Sequence, residues 1–138
     1  MSKIKLYYCG WAILSCTYMP HLSCHYYKLA TNSSFIVGNW QMDLKDSIIL
    51  IIFYFLLISG CILSIICRQI RKPIGIIAIA VHSSLGIIHL LRIAYPFKFK
   101  IFNIEWPMHS SILEVILSIP CALLAIFLLS KKKQQFNI

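Results

Sequence analysis

The chain has 138 residues, of which 59% are hydrophobic and 12% charged, and its 13 Lys and Arg against 4 Asp and Glu give a formal net charge of +9. A small water-soluble domain has no interior large enough for that much apolar surface, so the composition excludes a soluble enzyme or binding module and calls for lipid as solvent. The positive balance does not signal nucleic acid, because eight of the basic residues fall in three clusters, Lys3 with Lys5, Arg68 with Arg71 and Lys72, and Lys131 to Lys133, each beside an apolar segment; that placement sets topology and meets lipid headgroups, and it draws no basic stripe.

The first apolar segment, residues 6–27, follows a basic start and reads LYYCGWAILSCTYM before Pro20, His21, His25 and Lys28 intervene. It is expected to be a span entering from the cytoplasm. The alternative is a cleaved signal peptide, which the basic start and the apolar length permit but for which no A-x-A-like cleavage site is present. Ile13-Leu14-Ser15-Cys16 carries a trace of a lipoprotein box, with Leu14 where a small residue is usual. Residues 28–46 form an outer loop in which Asp43 and Asp46 balance Lys45, and Asn32-Ser33-Ser34 has the form of a glycosylation acceptor.

Residues 47–67 carry no charge and reach the roughly 20 residues needed to cross a bilayer core. Gly60 and Ser64 form a small-x-x-x-small pair able to seat another helix. The turn 68–73, RQIRKP, is tight and basic, and Pro73 suits a helix start. A second apolar span follows at 74–95, an outer loop at 96–108, a third span at 109–130 and a tail at 131–138. The short turn predicts antiparallel neighbours. In the outer loop Phe97, Phe99 and Ile101 alternate with Lys98 and Lys100, which predicts an extended segment lying along the interface with rings down and ammonium groups up. Tyr95, Phe102 and Trp106 complete an aromatic belt on that side. The positive-inside rule places 68–73 and the tail in the cytoplasm. The expected fold is therefore an all-α integral membrane bundle of antiparallel helices, three spans plus a fourth at 6–27, in a single membrane domain.

Ionisable groups inside spans cost about 2.5–3.5 kcal/mol each on the insertion scale, so each asks for a partner. The span at 74–95 holds His82, His89 and Arg92; His82 and His89 lie within about 20° of one another on a helix, on a stripe shared with Gly75 and Gly86. Such a face belongs against other helices. Glu114 is the one acid inside a span, and antiparallel packing sets it level with His89 and about one turn from Arg92. The structural expectation is that Glu114 pairs with Arg92 and His89. The functional alternative is a proton or ligand site with Glu114 titrating and His89 and His82 leading towards the midplane. Pro120 frees the carbonyl of Ile116.

Cofactor signals are sparse, and none is expected. His82 and His89 share a face and cannot grip one haem iron from both sides; a second axial ligand would come from His21, His25 or His109, and no C-x-x-C-H occurs. His21, Cys24 and His25, with Cys16 as a remote fourth ligand, make a weak metal candidate whose nitrogen and sulfur donors suit zinc or copper. Cys9, Cys16 and Cys24 follow no paired spacing, and Cys61, Cys67 and Cys121 act as small hydrophobes in or at the ends of spans.

The stretch HLLRIAYPFKFKIFNIEWPMHSSILEVI, residues 89–116, resembles small uncharacterised bacterial multi-pass membrane proteins in which a His-Leu-Leu-Arg helix end is followed by an aromatic, Pro-containing loop and a Ser-rich helix start. His89, Arg92, Trp106, Pro107 and Ser110 carry the likeness; the Lys-rich loop and the upstream spans depart from it. It implies a bacterial lineage and brings no mechanism. The function expected first is a non-enzymatic accessory or assembly component of a bacterial inner-membrane complex, with the bilayer and a protein partner or second copy as partners. Second comes a small oligomeric transporter or proton-coupled channel using Glu114, His82 and His89. Third comes a haem- or metal-binding redox protein.

Overall fold

A backbone that crosses lipid must satisfy its own N–H and C=O groups, which turns uncharged apolar runs into helices. The computed structural model describes residues 3–102 and 104–130, with side chains from residue 7 onward. In chain order its elements are α1 (Lys3–Thr31), β1 (Phe35–Val37), β2 (Trp40–Gln41), α2 (Leu44–Ile66), α3 (Arg71–Ala94), β3 (Phe99–Ile101), β4 (Ile104–Glu105) and α4 (Met108–Ser130). The side chains of Lys3 and Lys5, and the whole 131–138 tail with its three lysines, lie outside the described residues.

Among the described residues, α2, α3 and α4 are long and apolar enough to cross a membrane, and the chain is a multi-pass membrane protein. Each begins and ends close to where composition places it. The longest helix, α1, is not among the three, because Pro20, His21, His25 and Lys28 dilute its apolar run. It nevertheless runs unbroken through Pro20 and stops at Asn32, whose φ of 51° is the left-handed cap that a helix end favours.

Asp43 and Asp46, expected to balance Lys45, instead cap α2 reciprocally. The Asp46 N–H donates to the Asp43 carboxylate at 2.8 Å, and the Asp43 N–H donates to the Asp46 carboxylate at 3.1 Å. At the other end Arg71 reaches back, its Nε donating to Ser64 O at 2.6 Å and its Nη2 to Ile65 O at 2.9 Å, so one residue of the basic turn also satisfies α2's last carbonyls.

The turn makes α2 and α3 neighbours only locally: Ile74 covers Gly60 near the turn, while the long interfaces run between α1 and α2 and between α3 and α4. The reason lies in side-chain size. Gly75, Ala78, His82, Gly86, His89 and Arg92 form the buried stripe of α3, as the 3.6-residue period predicts. Its glycines let α4 approach closely: a Cβ on Gly75 would sit 2.6 Å from Leu129 Cδ2, and one on Gly86 3.6 Å from Ser118 Cβ. Against α2, by contrast, α1 sets Trp11, Leu14 and Tyr18, all fully buried, beside Tyr54, Leu57, Ile58 and Cys61.

The fold is mostly helical, as expected, and adds a small four-stranded antiparallel sheet at one end of the bundle, in the order β2-β1-β3-β4, which the expectation of helices alone did not include. Phe35 pairs with Ile101, Ile36 with Lys100 and Val37 with Phe99. The alternation read at 97–101 is present in β3, where Phe99 and Ile101 are buried and Lys100 is half-buried between them. What differs is the partner. The segment hydrogen-bonds to β1 across the end of the bundle, since an extended backbone beside lipid needs another strand for its N–H and C=O groups. Gly38, with φ 62°, takes the first of the two turn positions between β1 and β2, where a primed hairpin turn needs positive φ.

Candidate functional site

Polar side chains gather in the half of the bundle beneath the sheet. Arg92, only 3% exposed, anchors the first group. Its Nη1 donates to Ser111 Oγ at 2.9 Å, its Nε to Phe97 O at 3.3 Å and its Nη2 to Trp106 O, and the guanidinium carbon lies 5.1 Å from the centre of the Phe99 ring. Each of these oxygens is neutral. The bonds tie the last turn of α3 to both ends of the 96–107 segment and to the first turn of α4. His89 Nδ1 lies 3.1 Å from the same Ser111 hydroxyl. A hydroxyl has one proton and two lone pairs; with one lone pair taken by Arg92, the proton is free for His89 Nδ1.

The expected pairing of Glu114 with Arg92 and His89 is not what the fold builds. Among the described residues no hydrogen bond or ion pair holds the Glu114 carboxylate. Ser111, one turn earlier on α4 and fully buried, takes its place. Glu114 instead lines a cavity of about 120 Å³ between α1, α3 and α4, together with Thr17, Pro20, His21, His82 and Ser118.

His82 forms the α3 wall of that cavity. Thr17 Oγ1 donates to Leu14 O at 2.8 Å, so at 3.3 Å from His82 Nε2 it is placed to accept the imidazole proton. Neutral His82 then carries its free lone pair on Nδ1. Pro20 lies in the cavity wall, and Pro120 immediately precedes the lining residue Cys121. Each proline removes one helical hydrogen bond at this level.

Rings connect the cavity to the sheet. Phe99 meets Phe35 at 5.9 Å, Phe35 stacks on His25 at 5.5 Å, His25 on Tyr54 at 6.0 Å and Tyr54 on His21 at 5.4 Å. Tyr18 lies between Tyr54 at 6.2 Å and His82 at 5.0 Å. The series ends at His82, one of the two middle residues of α3. Beyond it the bundle is filled by Trp11, Leu14, Cys61, Ala78, Ala125 and Leu128. Among the described residues, three buried polar atoms have no protein partner: Trp11 Nε1, the Tyr18 hydroxyl and His25 Nδ1. Lys28, 4% exposed, is held by donation to Asp43 O at 3.1 Å and joins the end of α1 to the start of α2.

The weak metal candidate does not converge. His21 and His25 both stack on Tyr54, Cys16 is exposed, and among the described residues no three His, Cys, Asp or Glu side chains are placed to hold an ion. His109, offered as a haem partner, is exposed at the start of α4.

Sequence reasoning brought His82, His89, Arg92 and Glu114 to one side of the bundle but missed Thr17, Tyr18, Tyr54 and Ser111. A signal for Ser111 existed: Ser111, Ser118, Cys121, Ala125 and Leu128 recur at helical spacing and make up the buried stripe of α4. No protein-family model, curated protein or solved structure matches this chain.

Proposed function

We propose that this chain is a non-enzymatic accessory or assembly component of a membrane complex that carries a one-sided polar binding site inside the bilayer. The observation that supports this reading is the separation of Glu114 from Arg92. The guanidinium is satisfied by neutral oxygens, so the acid is not needed to neutralise it, and it faces an open cavity beside His21 and His82. An intramembrane carboxylate without a structural counter-ion favours a functional role.

A conducting role needs polar groups that continue to the other face. Here the imidazoles stop at the middle of α3, and large apolar side chains fill the remaining half of the bundle. Binding from one side, or laterally from lipid, suits the arrangement better than permeation. The positive-inside rule adds a topology to the proposal: the Arg68–Lys72 turn in the cytoplasm of a bacterial cell, the sheet outside, and α1 as a fourth span beside the three apolar helices.

The test is purification from native membranes in a mild detergent, with a stoichiometric protein partner as the expected result. Reconstituted alone into proteoliposomes, the chain should pass no more protons than empty vesicles. Proton flux that Glu114→Gln abolishes, with insertion and yield unchanged, would instead install the second reading, a small oligomeric proton-coupled channel or transporter using Glu114, His82 and His89.

A further inference from the structure

The cavity beside Glu114 is not isolated. Two of its wall residues, His82 and Ser118, also line a groove of about 360 Å³ between α3 and α4. Gly86, Leu90, Ala122, Leu123 and Ile126 form much of the rest of the groove. Leu90, Leu123 and Ile126 are roughly half exposed, so the groove opens on the face that α3 and α4 turn to lipid. A small polar chamber and an apolar channel therefore share a wall, built from an imidazole and a serine.

Depth narrows the occupant. His82 and Ser83 are the middle residues of α3, and Ser118 neighbours Ile119, the middle residue of α4. The junction sits near the bilayer centre, roughly 15 Å from either headgroup layer. A phosphate or other charged head is unfavourable at that depth, and an anionic head would also meet the Glu114 carboxylate. What reaches the centre freely is an uncharged head on a long apolar tail.

The chamber's hydrogen-bonding groups narrow it further. Thr17 and His21 stand on the α1 wall, His82 on α3, and Glu114 and Ser118 on α4. A head with a single hydroxyl satisfies one wall. A planar ring with oxygens at opposite ends can bridge two walls, and the lone pair of His82 Nδ1 and the Glu114 carboxylate are both acceptors for ring hydroxyls.

We propose that the cavity and groove together bind a membrane-soluble quinol or quinone, its ring between Glu114 and His82 and its isoprenoid tail along Gly86, Leu90 and Leu123. The proposal is one of binding and includes no electron transfer. It rests on the reading of a one-sided intramembrane site and names that site's ligand.

The test uses the full chain in nanodiscs, titrated with decylubiquinol and decylubiquinone, with stoichiometry read by native mass spectrometry. Saturable binding of one molecule per chain is expected. Ala122→Phe, which fills the groove without touching the cavity, should weaken it by at least about tenfold, and Ser83→Leu on the opposite, exposed wall should do the same if the first variant fails to fold. Glu114→Gln should weaken the quinol more than the quinone, because the carboxylate accepts from a hydroxyl and cannot donate to a carbonyl. Geranylgeraniol and oleic acid are the competing arms, expected to bind at least about tenfold more weakly.

Absence of saturable binding to folded wild-type protein would overturn the proposal, as would binding indifferent to both groove variants. Equal affinity for geranylgeraniol would reduce the site to a tail groove and equally end the ring assignment. A co-purifying partner without quinol binding would remove this proposal alone; quinol binding without a partner would remove the accessory reading alone.

Discussion

The two ends of the bundle solve opposite problems with the same helices. Near the 68–70 turn, glycines meet large side chains: Gly10 faces Leu128, Gly60 faces Ile74 and Gly75 faces Leu129. Trp11, Leu14, Cys61 and Leu128 are buried there by shape, in one apolar cluster. In the half beneath the sheet the helices bury three imidazoles, an ammonium group and a guanidinium, and hold them with carbonyls, hydroxyls and ring faces. The contrast teaches that helix contact in lipid, where burial of apolar surface gives little driving force, is obtained either by close packing or by satisfied polar groups. Glu114 and the Tyr18 hydroxyl belong to neither device.

The largest effect expected is at Arg92. Arg92→Leu leaves Trp106 O, Phe97 O and the Ser111 hydroxyl without their donor, and charged hydrogen bonds contribute about 1.5–3 kcal/mol each. Loss of at least about 3 kcal/mol is expected by denaturant titration in detergent, with the sheet detaching first. A loss below about 1 kcal/mol, the value of a single neutral bond, would mean that Arg92 does not hold the polar end together.

Next comes Gly75→Val at the packed end. Its Cβ would lie 2.6 Å from Leu129 Cδ2, so α3 and α4 must part. Overpacking of this kind costs about 1–3 kcal/mol, and the double variant Gly75→Val with Leu129→Ala should recover part of it. An additive double mutant would show that the two residues do not meet.

Tyr18→Phe should act in the other direction. The hydroxyl is buried without a partner, so removing it is expected to leave stability unchanged or raise it by up to about 1 kcal/mol, read as a higher thermal midpoint. A clear loss would reveal an acceptor, such as a bound ligand or water. Smallest is the expected response to Glu114→Gln. With no bond to the carboxylate among the described residues, stability should change by less than about 0.5 kcal/mol. Destabilisation matching that of Arg92→Leu would restore the ion pair expected from sequence and remove the basis for a functional acid.

These contrasts also separate local signals from distant ones. The spans, the inward stripe of Gly75, Gly86, His82, His89 and Arg92, and the alternation at 97–101 follow from local periodicity, which acts over a few residues and is written into the chain. Residues 35–37 carry the β-branched and aromatic types of a strand, but three residues are too few to announce one, and their partner β3 lies more than 60 positions on. Arg92 offered a similar difficulty. Level and charge favoured Glu114, while in the fold the guanidinium is held by Ser111 Oγ, Phe97 O and Trp106 O, two of them in a loop whose path local periodicity does not give.

Composition and periodicity alone thus determined that this chain lives in lipid, where it crosses and which faces look inward, since each depends on the solvent and on 3.6 residues per turn. Which inward groups touch was decided by tertiary structure. Rotations of a few tens of degrees and ångström differences in helix separation, set by side chains distant in sequence, gave Arg92 to neutral oxygens and left Glu114 facing an open cavity.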